Sequence, residues 1–233
     1  MAADSVLDDV RQFHPATPAE QFGELKRVFP ESHFERLFSD GFHFHHTTFW
    51  YTMDRKPENI FESIVDSLKP LAAPGAGVIG VEWWFALLWT NTTPQWLLPC
   101  HFDKNDLDER DTSRLTHPDK ASILFLNTVP YGELVVTSQV MSERGNPRPR
   151  QPTDMRFITP TANRYVVFPG QLYHGVLGRM WRQLEPTQLR ITMAVNWWSE
   201  RPKADYLRDS LDCMSTFKLN EVDTAATPVL SRT

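Results

Sequence analysis

The chain has 233 residues, of which 41% are hydrophobic, and its formal net charge is −5. This length and composition are typical of one globular domain with a sizeable core. The mild negative charge argues against nucleic acid or an anionic membrane as a partner, so we predict a small-molecule partner. The longest apolar run, Val78–Trp89, is shorter than the roughly 20 residues that span a bilayer. Two cysteines and a start without a signal-like pattern predict a cytoplasmic protein, of unknown oligomeric state.

Helical patterns dominate the first third of the chain. We predict helices over residues 17–29, 30–38 and 54–71, because their apolar residues recur at helical spacing. Thr17 is predicted to cap the first helix, with Glu20 bonded back to the cap. The second helix is predicted to turn three apolar side chains toward the core, Phe34, Leu37 and Phe38.

A histidine-rich segment follows at Gly41–His46 and has two interpretations. His43 and His45 would share one face of a strand, where they could bind zinc or iron. Alternatively, the segment is an edge strand that packs Phe42, Phe44 and His46 inward and leaves the other imidazoles in water. The second interpretation is favoured because histidines without a carboxylate or cysteine partner are usually structural.

From Val78 onward the pattern becomes extended. Residues rich in β-branched and aromatic side chains predict strands over 78–89, 95–101, 121–128, 134–140, 164–168, 173–180 and 188–198. The strands 121–128 and 134–140 are predicted to form a hairpin through residues 129–132. Among the tryptophans, Trp83, Trp84 and Trp89 are expected mainly to fill the core, although one of them could wall a substrate pocket.

Two polar segments and the C-terminal part are predicted separately. Residues 104–111 form a charged, solvated loop that is also a candidate lid. Residues 142–152 are predicted to be irregular, either a surface loop or a basic flap for a carboxylate-bearing substrate, with Arg144, Arg148 and Arg150. Residues 202–214 are predicted to form a closing helix with three inward side chains, Tyr206, Leu207 and Leu211. The tail from about Asn220 is predicted to be frayed.

His101 and Asp103 stand two residues apart near the end of a predicted strand and therefore project to the same side. A second imidazole at His174 would complete a set of two histidines and one carboxylate, which suits non-haem Fe(II) with open coordination positions. About eight short strands that bring together distant ligands predict a mainly β fold with flanking helices and a double-stranded β-helix (jelly-roll) core. We predict a single domain, 1–233, with a helical part (1–75), a β-helix core (76–200) and a C-terminal helix and tail (201–233).

At these residues the chain resembles the Fe(II)/2-oxoglutarate-dependent dioxygenase superfamily. Its pattern of His-X-Asp, a distal His and Arg-X-Ser/Thr is matched by His101-Phe102-Asp103, by His174 and by Arg190-Ile191-Thr192. The segment 126–136 is similar to the Gly-Gly-X-Leu segment of that superfamily, with Tyr131 in place of the first glycine. The resemblance covers residues 97–198.

The resemblance implies Fe(II) held by His101, Asp103 and His174, with O2 as cosubstrate. It also implies 2-oxoglutarate held by Arg190 and Thr192, which alternate onto one strand face and offer its far carboxylate a charge-assisted grip. The sequence offers two competing cations, Arg179 and Arg182, but neither is followed two residues later by a hydroxyl.

The implied reaction is hydroxylation of an unactivated C–H bond with release of succinate and CO2. An aspartate at the carboxylate position favours hydroxylation over halogenation, while desaturation and cyclisation stay open. We predict an amino acid or small natural-product intermediate as substrate, with a peptide or protein side chain as the alternative. Two other classes are a non-oxidative cupin-like metalloprotein, which would not need Arg190 and Thr192, and a binding protein with a degenerate site.

Overall fold

The computed structural model describes residues 5–90, 96–105, 114–143, 145–178 and 188–219. Its helices are α1 (Ala19–Val28), α2 (Glu31–Ser39), α3 (Ile60–Ala72) and α4 (Cys213–Thr216). Its strands are β1 (Arg11–Phe13), β2 (Thr48–Thr52), β3 (Gly80–Trp89), β4 (Trp96–His101), β5 (Lys120–Phe125), β6 (Leu134–Met141), β7 (Pro147–Arg148), β8 (Met155–Ile158), β9 (Tyr165–Pro169), β10 (Leu172–Leu177), β11 (Leu189–Trp198) and β12 (Leu207–Asp209). Across these ranges, every helix is too short or too polar to cross a membrane.

The strands form two sheets that face each other. The larger sheet has the order β1-β9-β5-β11-β3-β2-β12, and the smaller one has the order β4-β10-β6-β7, with β8 also paired to β6. In the core, β3, β5, β9 and β11 belong to the larger sheet, while β4, β6, β8 and β10 belong to the smaller. A chain that passes repeatedly from one sheet to the other in this way is a double-stranded β-helix, so the predicted fold is confirmed.

Strand β11 separates the hydrophobic core from the interior of the barrel, because its side chains alternate between the two. All ten residues of β11 are buried, since both faces of this strand are covered. Its odd-numbered residues from Ile191 to Trp197 pack with α1–α3 in the main hydrophobic cluster. Its even-numbered residues from Arg190 to Asn196 face a cavity between the two sheets. The helices therefore hold one face of the larger sheet while the other face is available for chemistry.

The first helix begins differently from the prediction. Helix α1 begins at Ala19 and lacks a side-chain cap. The backbone N–H and the hydroxyl of Thr17 instead both donate to Asn163 Oδ1, each over 3.0 Å. The predicted Thr17 cap is wrong, because Pro18 takes the cap position and the Thr17 side chain is held by the distant Asn163. Helix α2 lies close to its predicted bounds, but Phe38 is 43% exposed and does not point into the core as predicted.

The predicted hairpin between residues 121–128 and 134–140 is also wrong. Strand β5 pairs with β9 and β11 in the larger sheet, whereas β6 pairs with β7, β8 and β10 in the smaller sheet. The connection at residues 129–132 thus carries the chain across the barrel. Within the segment 142–152, predicted to be irregular, the two residues of β7 pair with the end of β6.

The predicted closing helix over 202–214 is replaced by three short elements. Strand β12 pairs in parallel with β2, and a 3-10 turn (Ser210–Asp212) leads into α4. Tyr206 and Leu211 are exposed, while Cys213 and Phe217 enter the hydrophobic core. Pairing with the free edge of β2 therefore overrides the helical spacing of the apolar residues. The tail from Asn220 and most of the predicted lid, residues 106–111, lie outside the described residues.

Candidate active site

Two neighbouring strands of the smaller sheet bring together the predicted metal ligands. His101 ends β4 and is the register partner of His174 in β10. Asp103 follows two residues after His101, and its carboxylate oxygens lie 3.6 Å from the Nε2 atoms of both histidines. The possible ligand atoms of the three residues all lie within 4.8 Å of one another. This triad is the one such cluster of histidine, cysteine and acidic residues among the described positions.

The backbone fixes how the two imidazoles are presented. Nδ1 of His101 lies 3.0 Å from the carbonyl of Pro99, and Nδ1 of His174 lies 2.9 Å from the carbonyl of Leu172. Because a carbonyl can only accept, each Nδ1 must donate, and a neutral ring then keeps its lone pair on Nε2. Burial lowers the pKa of His174, against the opposing effect of Asp103, and so favours the neutral ring.

Gly175 allows the two ligand strands to approach closely. A Cβ atom at this position would lie 2.9 Å from both the N and Cα atoms of Cys100. Ordinary side chains never tolerate such a distance to backbone, so a larger residue would separate β10 from β4. Gly175 therefore has a packing role next to the predicted ligand His174.

Residues 116 and 117, which belong to neither ligand strand, make hydrogen bonds to the segment that carries Asp103. Nδ1 of His117 lies 2.6 Å from the backbone carbonyl of Asp103. Two residues further, the N–H of Asn105 donates to the carbonyl of Thr116 over 3.0 Å. Sequence reasoning missed His117, since no local spacing connects it to a residue 14 positions earlier.

Arg190 is a buried cation with one unsatisfied group. It is 1% exposed, and its Nε donates to the carbonyl of Gly132 over 2.8 Å. One terminal nitrogen, Nη1, donates to the hydroxyl of Thr192 over 3.3 Å, while the guanidinium lies 5.0 Å from the ring centre of Phe125. The other terminal nitrogen, Nη2, is buried and has no hydrogen-bond partner among the described residues. Burial lowers the pKa of Arg190 to about 9, which still leaves it charged at neutral pH.

The triad and Arg190 border the same cavity, which we call the triad cavity. Its volume is about 480 Å³ and its wall contains His101, Asp103, His174, Arg190 and Thr192. A buried, charged donor without a partner is costly, and a carboxylate in this cavity would satisfy it. The residues present therefore fit an anion beside Arg190 and a metal ion at the triad.

Two further cavities meet the triad cavity at Trp84 and His101. A polar cavity of about 710 Å³ contains Thr48, Glu82 and Trp198 in its wall. An apolar groove of about 950 Å³ runs past aromatic and aliphatic side chains, among them Phe38, Phe42, Leu87 and Leu98. Trp84 therefore walls a pocket, as predicted for one of the tryptophans, whereas Trp83 is fully buried in the core.

Other predicted site residues lie elsewhere. The histidine-rich segment forms a 3-10 turn (Phe44–His46) and not the predicted strand, with Phe44 buried and His43 and His46 exposed. His43 borders the apolar groove but belongs to no ligand cluster within the described residues, and the side chain of His45 lies outside them.

The other arginines that were predicted as possible binding cations do not border the active site, as far as the described residues include them. Arg148 and Arg150 are exposed and border none of these three cavities. Arg144, Arg179 and Arg182 lie outside the described residues. Glu82, which sequence reasoning missed, is a carboxylate inside the apolar run of β3, and the period of two places it on the same face as Trp84 and Ala86.

The comparisons with known proteins give structural similarities without similarity in sequence. No protein-family model and no curated protein matches this sequence. A prolyl-4-hydroxylase from Pseudomonas putida has 16% identity and a TM-score of 0.46, covering 84% of this chain and 98% of the other. A prolyl 4-hydroxylase structure from Phytophthora capsici has 14% identity and a TM-score of 0.48, covering 92% of this chain and 69% of the other.

A third similar structure is HygX from Streptomyces hygroscopicus with nickel and 2-oxoglutarate bound. It has 12% identity and a TM-score of 0.43, covering 82% of this chain and 84% of the other. At these identities and TM-scores, the similarities assign neither an activity nor a substrate to this chain. The functional interpretation therefore depends on the residues of the two sheets themselves.

Proposed function

We propose that this protein is an Fe(II)- and 2-oxoglutarate-dependent oxygenase that hydroxylates an unactivated C–H bond and releases succinate and CO2. The observation that carries the proposal is the unpartnered Nη2 of Arg190 in the cavity that also contains the triad. A metal site and a buried cation with an unsatisfied nitrogen are the two binding sites that a metal-chelating dicarboxylate requires. Neither feature alone would indicate this chemistry.

The residues of the chain would divide the work as follows. His101, Asp103 and His174 would hold Fe(II), with their Nε2 and carboxylate atoms directed at one point. Arg190 and Thr192 would hold the far carboxylate of 2-oxoglutarate through charge-assisted hydrogen bonds. Bound iron with 2-oxoglutarate and O2 would supply the oxidising power, and the buried walls of the triad cavity would exclude water from the reaction.

For the substrate, we propose an amino acid or a small natural-product intermediate. The polar cavity supports this choice, since it is bounded by His101 and Asp103 and by buried polar side chains that can recognise a small, hydrogen-bonding molecule. An aspartate at position 103 supports hydroxylation over halogenation. A carboxylate on the substrate stays a prediction from the sequence alone, because Arg148 and Arg150 border none of the three cavities.

A peptide side chain is the second candidate substrate, and the apolar groove favours it. Strand β2 pairs with β3 only from Gly80 to Trp83, and the groove runs alongside the following residues as far as Leu88. An extended peptide could lie along such a strand edge and reach His101 at the end of the groove. Succinate release that depends on a peptide and on no free small molecule would select this alternative.

The alternatives from other classes explain less of the site. A non-oxidative cupin-like metalloprotein would use the triad but would leave Arg190 without a function. A binding protein with a degenerate site would not need three converging ligands. Stoichiometric succinate release would separate the oxygenase from both.

The test is an anaerobic titration of the metal-free protein with Fe(II) and 2-oxoglutarate, followed by the visible charge-transfer absorption of the complex. We expect the absorption in the native protein and in His14→Ala, a control at an exposed histidine outside the three cavities. It should be lost in His174→Ala and should require much more 2-oxoglutarate in Arg190→Met. No absorption in the native protein, or absorption that survives the loss of His174, would contradict the proposal.

A further inference from the structure

The polar cavity beside the triad contains three buried polar side chains from three adjacent strands. Thr48 lies in β2, Glu82 in β3 and Trp198 at the end of β11. They are 5%, 9% and 2% exposed, respectively. The mechanism proposed above uses none of the three, and sequence reasoning did not assign any of them to a site.

These three groups approach one another without completing their hydrogen bonds. The Thr48 hydroxyl and the Trp198 indole N–H lie near enough to the Glu82 carboxyl to oppose the rise in its pKa that burial causes. Yet both the Thr48 oxygen and the Trp198 nitrogen are buried, and within the described residues neither completes a hydrogen bond of normal geometry. Buried polar atoms are nearly always paired, so two such atoms around one cavity indicate that a ligand completes them.

The chemistry of the three groups restricts what that ligand can be. The indole N–H can only donate and therefore requires an acceptor. An ammonium group cannot supply one. A carboxylate could accept from the indole but has no proton to donate to the Glu82 carboxyl. A neutral group that both accepts and donates satisfies Trp198 and Glu82 together, and a hydroxyl is the smallest such group.

We propose that this cavity is a substrate subsite that binds a hydroxyl group, and hence that the substrate is a hydroxylated small molecule. The cavity shares Trp84, His101, Asp103 and Asn196 with the triad cavity, so a molecule held here lies beside the triad. Arg190 and Thr192 border only the triad cavity, which keeps the 2-oxoglutarate position separate from this subsite. This inference rests on the proposed function, because the cavity is a substrate subsite only if the triad is the catalytic centre of an oxygenase.

The experiment uses the Trp198 indole N–H as a direct reporter. The full chain, loaded with Zn(II) and 2-oxoglutarate, is labelled with 15N, and the indole signals are followed during titration with myo-inositol, n-butylammonium, butyrate or butyramide. Trp198→Phe assigns the signal. We expect saturable movement with myo-inositol and none with the ammonium or the carboxylate. Movement with butyramide instead of myo-inositol would overturn the hydroxyl assignment in favour of a carboxamide.

Two variants and a matched control test the contacts. Thr48→Val and Glu82→Gln should each weaken myo-inositol binding by about tenfold, the effect of roughly one hydrogen bond. Thr47→Val should leave binding unchanged, because the Thr47 hydroxyl contacts the carbonyl of His43 and does not border the cavity. Equal affinities in all four proteins would overturn the proposal. So would a Trp198 signal that moves with none of the probes.

The two proposals can fail separately. Formation of the charge-transfer absorption without any response of Trp198 to myo-inositol would overturn the subsite and leave the oxygenase standing. A saturable Trp198 response in a protein that binds no Fe(II) would overturn the oxygenase proposal and leave the subsite standing. Succinate release that increases with polyols in the native protein, but much less in Thr48→Val, would support both.

Discussion

His101 and His174 are register partners across the pair β4–β10, and each ring contacts the backbone carbonyl two residues before it in its own strand. The same local geometry is thus used twice. The hydrogen bond at Nδ1 orients each imidazole so that its Nε2 atom faces the carboxylate of Asp103. Orientation by an outer hydrogen bond is a common feature of metal-binding histidines, and here the backbone provides it without any further side chain.

This geometry predicts the tautomer of both rings in the metal-free protein. At pH 8 we expect Nδ1 to carry the proton and Nε2 to be bare in His101 and His174, because a carbonyl cannot donate to a bare Nδ1. Ring 15N chemical shifts, assigned with His101→Ala and His174→Ala, measure this directly. Addition of Zn(II) should then shift the Nε2 signals of these two residues. Proton-free Nδ1 atoms would contradict the geometry.

Gly132 allows a test of the anion site that leaves the triad in place. Its φ is +86°, and an added Cβ would lie 2.8 Å from Cδ of Arg190, so Gly132→Ala should displace the guanidinium. Gly145 is a matched control, since its φ is +76° but its added Cβ meets no atom of the described residues within 4 Å. We expect only Gly132→Ala to weaken 2-oxoglutarate binding, by about tenfold or more, which corresponds to one strong hydrogen bond. Calorimetric titration of the Zn(II)-loaded proteins measures both constants. Equal losses in the two variants would point to backbone strain instead.

Arg190→Met tests whether the buried cation serves the ligand or the fold. Removal of one partner of a buried charge pair costs about 2–5 kcal/mol of binding, so 2-oxoglutarate affinity should fall by about 100-fold. The free energy of unfolding without 2-oxoglutarate should change little, because methionine fills similar space without an unpaired charge. Thermal unfolding with and without 2-oxoglutarate separates the two effects. A variant that unfolds far below the native protein without ligand would indicate a structural role.

The sequence predicted the parts of the site that depend on strand periodicity. A period of two placed His101 with Asp103 and Arg190 with Thr192, and the structure brings all four together with His174 around the triad cavity. It could not predict that the chain crosses between sheets at residues 129–132, since turn residues do not reveal which sheet the next strand joins. His117 and Thr48 were missed for a related reason, because their contacts with the site segments join parts of the chain that no local pattern connects.

The buried carboxyl of Glu82 should make the stability of the metal-free protein depend on pH. Burial raises its pKa from 4.5 to about 7. Between these values the native state holds a proton that the unfolded chain has lost, so the free energy of unfolding should fall as the pH rises from 4.5 to 7. Glu82→Gln removes this loss and should be the more stable protein at pH 8, by up to about 3 kcal/mol.

Urea unfolding with EDTA at pH 5 and pH 8 measures the difference between the two proteins, in which the contribution of His174 cancels. Glu24→Gln, at an exposed helical position, controls for the change in net charge. If the native protein and Glu82→Gln showed the same change between pH 5 and pH 8, Glu82 would be ionised throughout this range, and the burial of its carboxyl would carry no such penalty.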